Sequence, residues 1–145
     1  MNLLYRLLAT KKDITLTIIR VTLGIVMLPH GAQKLFGSFG GYGFEGTMGF
    51  MTGQLGIPSL FAFLAIIAES FGALGLILGL FTRVAAFGVF ATMLVAAALV
   101  HLPNGFFAPT GIEYFILTFG LAIPLIIKGA GSFSLDDLVS SKLEK

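Results

Sequence analysis

Six ionisable side chains stand inside or at the rims of long apolar runs: Arg20, His30, Lys34, Glu69, His101 and Glu113. A charge held in hydrocarbon is costly, so such residues face protein or a wet cavity and pair with one another. Their types define a short menu of chemistry. Imidazole can donate to a quinone carbonyl and carry protons as the ring is reduced. Lys and Arg can hold an anionic headgroup or a sulfur oxyanion. Two histidines on separate helices could ligate haem axially, but no further haem cue is present. No close-spaced ligand motif such as His-Glu-x-x-His occurs, so no metal is expected. His30, Lys34, Glu69 and His101 are therefore the candidate ligand-binding residues.

Each of these residues also has a plainer role. At 100° per residue, Arg20, Gly24, Met27, Gly31 and Lys34 keep within about 40° of one line, and His30 flanks it. Arg20 lies about 9 Å inside the apolar run, and its natural partner is Glu69, as a structural ion pair that sets helix register. Lys34, near a helix end, can snorkel to the interface. Thr110 and Glu113 have the spacing of a capping box that would start a helix. His101 can satisfy the last carbonyls of its helix. His30 has the weakest purely structural explanation.

The elements that must carry these groups are membrane spans. Hydrophobic residues make up 57% of the 145-residue chain and charged ones 11%. Soluble domains run at about 45–50% apolar and about 25% charged. The chain has no Cys, which excludes disulfides, thiol relays and thiolate metal sites. A net charge of only +2 does not suggest a nucleic-acid surface. The first apolar run is too long for a secretory signal and is interrupted by Arg20.

Four segments approach the roughly 20 residues that a helical span requires: 14–36, 60–81, 84–102 and 112–127. Arg6, Lys11 and Lys12 precede the first span, Arg83 separates the second and third, and Lys128, Lys142 and Lys145 follow the fourth. Segments 37–59 and 103–111 contain no Lys or Arg. The positive-inside rule then puts both termini in the cytoplasm. The expected fold is all-α: an integral-membrane antiparallel four-helix bundle in the bacterial inner (cell) membrane. Residues 1–13 form an interfacial amphipathic segment and 128–145 a cytoplasmic tail. Segment 37–59 forms an outer Gly/aromatic loop with a short amphipathic helix, suited to a lid or an interfacial anchor. Gly72, Gly75 and Gly79, with the alanines of the third span, are expected at helix contacts.

Several local patterns together resemble a known family. Arg20 is followed by His30-Gly31-Ala32-Gln33-Lys34-Leu35-Phe36. Glu69 is followed by Leu78-Gly79-Leu80-Phe81-Thr82-Arg83. His101 closes the third span and Glu113 opens the fourth. Gly129-Ala130-Gly131-Ser132-Phe133-Ser134-Leu135-Asp136 follows. From about residue 14 to 137 this is similar to the DoxX family of small four-span bacterial membrane proteins. The resemblance implies a membrane bundle with a redox association, and marks Arg20, Gly31, Lys34, Glu69, His101 and Glu113 as motif residues. It implies quinone as the cofactor, the bilayer and a partner redox subunit as associates, and a quinone-linked oxidoreductase subunit if the chain is part of an enzyme. Three function classes fit: a redox subunit binding quinone or a small sulfur species in the outer half of the bundle, a non-catalytic accessory or scaffold protein, and a small proton or solute transporter. The last would need a homo-oligomer.

Overall fold

The computed structural model describes residues 3–143, and its helices begin and end where local chemistry directs. A short α1 covers Leu3–Leu8. The Asp13 side chain accepts from the Thr15 N–H at 2.8 Å and caps α2, Ile14–Phe36. Gly37, at φ 74, ends that helix. Segment 37–59 then makes a 3-10 turn at Ser38–Gly40 and α3 at Gly43–Gly49, continued by a π-helical turn at Phe50–Gln54. The helix α4 runs Ser59–Leu78, α5 runs Thr82–Ala96, and α5 continues through π-helical Ala97–His101. The sixteen-residue α6 is Glu113–Lys128, and α7 is Leu135–Leu143. Among the described residues there is no strand.

The hairpin between the second and third apolar runs differs from expectation. The turn is Gly79-Leu80-Phe81, while Thr82 and Arg83 are the first residues of α5. Gly79 takes the left-handed φ of 68 that closes α4. A side chain there would also overlap Ser134 and come 2.9 Å from the Arg20 guanidinium carbon.

Among the described residues three stretches are long and apolar enough to cross a membrane: Ile14–Phe36, Ser59–Leu78 and Thr82–Asn104. α2 packs on α4 and α6, α4 on α5, and α5 on α6. Neighbours run in opposite directions. Gly24 lies against Ala73 and Ile77, while Gly31 meets Glu69 and Ser70. Phe90 meets Phe119, and His101 meets Phe115. Leu23, Met27, Leu76, Val89, Ala122 and Leu125 are buried between them. Large apolar side chains such as Ile18, Phe61, Phe71, Phe87 and Leu117 point outward, as lipid-facing helices require.

Both terminal helices sit at one end of the helix stack. α1 touches α7, and Asp136 of α7 accepts from the Phe81 and Thr82 N–H groups at 2.7 and 2.8 Å. The opposite end carries α3 and the 102–112 connection and is called the mouth below.

Candidate functional site

Arg20 is fully buried, and it does not pair with Glu69. Its Nη1 donates to the carbonyls of Leu76 and Ile77 at 2.8 and 2.6 Å. Its Nε donates to Ala130 at 3.0 Å and its Nη2 to Phe133 at 3.1 Å. The last carbonyls of α4 lie beyond its regular hydrogen-bond ladder, Leu76 taking only a long 3.3 Å bond from the Gly79 N–H, and a guanidinium fork satisfies them where the helix dipole favours a cation. Glu69 lies eight residues before Ile77, about 12 Å along the helix, beyond a side chain already committed to the C-terminus. The expected Arg20–Glu69 pair is therefore replaced by a helix cap. Arg83 makes the same kind of contact elsewhere. Its Nη1 donates to Ile126 and Ile127, at the end of α6, at 2.7 and 2.6 Å.

Glu69 pairs instead with Lys34 of α2. Gly31 permits this, because any Cβ there would overlap the Glu69 carbonyl. With α2 pressed onto α4 at that turn, Lys34, one turn further on, reaches the buried carboxylate. Lys34 thus points inward rather than snorkelling.

Both histidines are held through one nitrogen. His30 Nδ1 lies 2.9 Å from the Val26 carbonyl, and His101 Nδ1 lies 2.8 Å from that of Thr110. A carbonyl only accepts, so each Nδ1 is the N–H donor and each Nε2 is left without a partner among the described residues. A neutral ring then presents a lone pair at Nε2, and a protonated ring presents a second N–H. The His30 ring stacks on Tyr114, centroids 6.0 Å apart and planes 21° apart. His101 packs on Phe115 at 4.5 Å.

The capping box does not form as expected. α6 begins at Glu113 itself, with Ile112 as cap residue and no side-chain cap bond. Glu113 accepts from the Ala108 N–H at 2.8 Å, and the Thr110 carbonyl receives His101. Glu113 and His101 together brace the 105–112 loop. The physical reason is that this loop folds back on itself. Glu113 N–H, the donor that Thr110 would serve in a box, bonds the Phe106 carbonyl, and the Glu113 carboxylate is taken by Ala108.

His30, Lys34, Glu69 and His101, drawn from three helices, line one cleft of about 1820 Å³. Tyr114 lines it too, beside His30, and sequence reasoning missed it. Its only signal was a phenol one residue into an aliphatic span. Tyr42, Met51 and Leu55, from the segment after α2, line the mouth side of the cleft. Among the described residues no three His, Asp or Glu gather as a metal-binding group. The set can place a cation, a carboxylate and two imidazoles around a small polar group, between apolar walls.

Helices that expose apolar faces around a buried charged cleft define a multi-pass membrane protein. Residues 15–102 match the family model described as DoxX, and the chain belongs to that family. It is similar to the Bacillus subtilis (strain 168) protein named "Putative oxidoreductase CatD", with 29% identity over 127 residues, 88% of each chain. No solved structure shows a significant match.

Proposed function

We propose that this protein is a redox-associated membrane subunit that binds quinone or a small sulfur species at the cleft mouth. The observation that carries the reading is the convergence of His30, Lys34, Glu69 and His101 on one cleft. The name of the Bacillus relative, "Putative oxidoreductase CatD", supports redox chemistry. A bound quinone would supply two-electron, two-proton chemistry. The residues present fit such a ring. Lys34 and a protonated imidazole Nε2 donate to carbonyl oxygens, and a neutral Nε2 accepts from a hydroxyl. Glu69 holds the Lys34 ammonium in place.

The same reading makes α6 a fourth crossing helix, giving an antiparallel bundle with both termini in the cytoplasm and the mouth outside. The support is Arg6, Lys11, Lys12, Arg83 and Lys128 at the terminal end and the lack of Lys and Arg in 37–59 and 103–111. The bacterial inner membrane is the site, and a partner redox subunit completes electron transfer.

The test is equilibrium binding of quinone to purified wild type and His30→Ala. Weaker binding by the variant is expected. Equal binding in both proteins, or none in either, overturns the proposal.

A further inference from the structure

The last helix, α7, has the wrong polarity for a tail in water. Asp136 and Ser140, one turn apart, are buried against the rest of the chain. Leu135, Leu138, Val139 and Leu143 are exposed and share one helical face. Lys142 lies on that face near the helix end. Asp137 lies on the opposite side. A helix docked on a soluble protein turns its apolar stripe inward and its charged face out.

Hydrogen bonds enforce the reversal. Asp136 accepts from the Phe81 and Thr82 N–H groups of the α4–α5 turn. The Ser134 hydroxyl accepts from the Asp137 N–H at 3.1 Å and donates to the Gly131 carbonyl at 3.0 Å. The Phe133 carbonyl receives Arg20. Rotating α7 to bury its leucines would strip the Phe81 and Thr82 N–H groups of their acceptor. Ser140 and Ser141 donate to carbonyls three residues before them, so neither hydroxyl needs water as an acceptor.

Backbone strain points the same way. Among the described residues the non-glycine residues with positive φ are Phe39, Phe81 and Phe133, at 53, 48 and 53. All three are exposed, Phe133 by 85%. Left-handed backbone is unfavourable for a bulky side chain, and a ring left in water does not offset it. A ring seated at an apolar boundary does. Phe81 and Phe133 stand beside α7, while Phe39 stands at the mouth end. Aromatic side chains gather at both faces of a bilayer, and this chain has no Trp for that role. Leu78, Leu80 and Ile127, exposed at the α7 end, continue the apolar surface of the spans toward the stripe. Arg6, Lys128 and Lys142 are exposed at that end too.

We infer that α7 is an interfacial helix whose apolar stripe, with the Phe81 and Phe133 rings, lies in the headgroup–acyl boundary of the adjacent leaflet. Lys128 and Lys142 meet anionic headgroups there, as cations flanking an apolar helix face do. The segment expected as a cytoplasmic tail is then part of the membrane domain, and the bilayer supports the end of α4 through Asp136 and the Arg20–Phe133 contact. The inference is independent of what the cleft binds.

The absence of Cys lets single cysteines report alone. Full-length Leu138→Cys and Phe133→Cys, each spin-labelled, are placed at one chain per nanodisc of phosphatidylcholine with phosphatidylglycerol. Ile25→Cys, exposed midway along α2, is the hydrocarbon reference, and free label in buffer is the aqueous one. Collisions with oxygen and with a water-soluble nickel chelate are measured. Both α7-end labels should keep oxygen collisions near the Ile25 level and lose most of the nickel collisions of free label. Nickel collisions equal to those of free label overturn the inference, because the stripe then faces water. Protection from both reagents also overturns it, because protein then covers the stripe. In discs of phosphatidylcholine alone the Leu138 label should sit nearer water. Equal depth in both lipids overturns the role given to Lys128 and Lys142. If the labelled variants do not fold, wild type decides with a lipid carrying a diazirine near its headgroup. Labelling of peptides from 133–143 supports the inference, and labelling confined to the spans overturns it.

Discussion

Lys34 and Glu69 form the one side-chain ion pair among the described residues, and its two halves are unequally buried: the lysine side chain is 24% exposed and the glutamate 1%. The carboxylate has no water to fall back on, whereas the ammonium does. Removing the lysine should therefore cost more than removing both charges. Lys34→Met should destabilise the protein by roughly 3–5 kcal/mol. Lys34→Met combined with Glu69→Leu should recover most of that loss. Thermal melting in detergent checks the order, and a double variant no more stable than Lys34→Met would contradict it.

Gly31 sets the approach of α2 to α4, because a methyl group there would overlap the Glu69 carbonyl. Backbone cannot swing aside as a flexible side chain can. Gly31→Ala should cost about 1–3 kcal/mol through overpacking and separate Lys34 from Glu69. Gly120 on α6 is the control, since nothing lies within 4 Å of its added Cβ. Gly120→Ala should be neutral or stabilising by about 0.5–1 kcal/mol. Equal melting shifts for the two substitutions would refute the close approach.

Arg20 donates only to carbonyls, so exchanging charges with Glu69 cannot restore its contacts. The swap Arg20→Glu with Glu69→Arg should fail to recover folding. Arg20→Lys should also be defective, because a single ammonium cannot span the α4 end and the 130–133 loop together. Each hydrogen bond lost from a charged donor contributes roughly 1.5–3 kcal/mol. Expression level and melting temperature report the outcome, and a swap variant as stable as wild type would restore the ion-pair reading.

At the start of α2, hydrogen bonding from Thr15, its backbone N–H first, holds the Asp13 carboxyl below its ordinary value. A lowered carboxylate pKa stabilises the fold at pH above the unfolded value of about 3.9. That contribution disappears as pH falls through the lower folded value. The melting-temperature gap between wild type and Asp13→Ala should therefore be constant near neutrality and close below about pH 4. A gap that persists in strong acid would mean that the cap does not act through the ionised carboxylate.

Asp136 accepts two N–H groups at the entrance to α5 and ties α7 to the α4–α5 turn. Burial pushes its carboxyl up, and the Thr82 and Phe81 N–H groups pull it down. Asp136→Ala leaves both donors without their acceptor and should cost about 0.5–2 kcal/mol, as loss of a helix cap does. Hydrogen exchange at the Phe81 and Thr82 amides should accelerate. Unchanged protection there would show that the cap is dispensable.

The sequence by itself determined the class of protein. Apolar runs of spanning length leave few ways to satisfy backbone groups in lipid. The four polar cleft residues were also legible, since charge is too costly in hydrocarbon to be placed without a partner. Which partner each charge takes was decided only by tertiary structure. Arg20 and Lys34 are both cations on one stripe of α2, and helical spacing cannot say which of them meets Glu69. That depends on the depth at which α4 stops and on how closely Gly31 lets it approach. The roles of Tyr114 and Asp136 were illegible for the same reason: each is defined by neighbours remote in sequence, and no period along the chain records their distance.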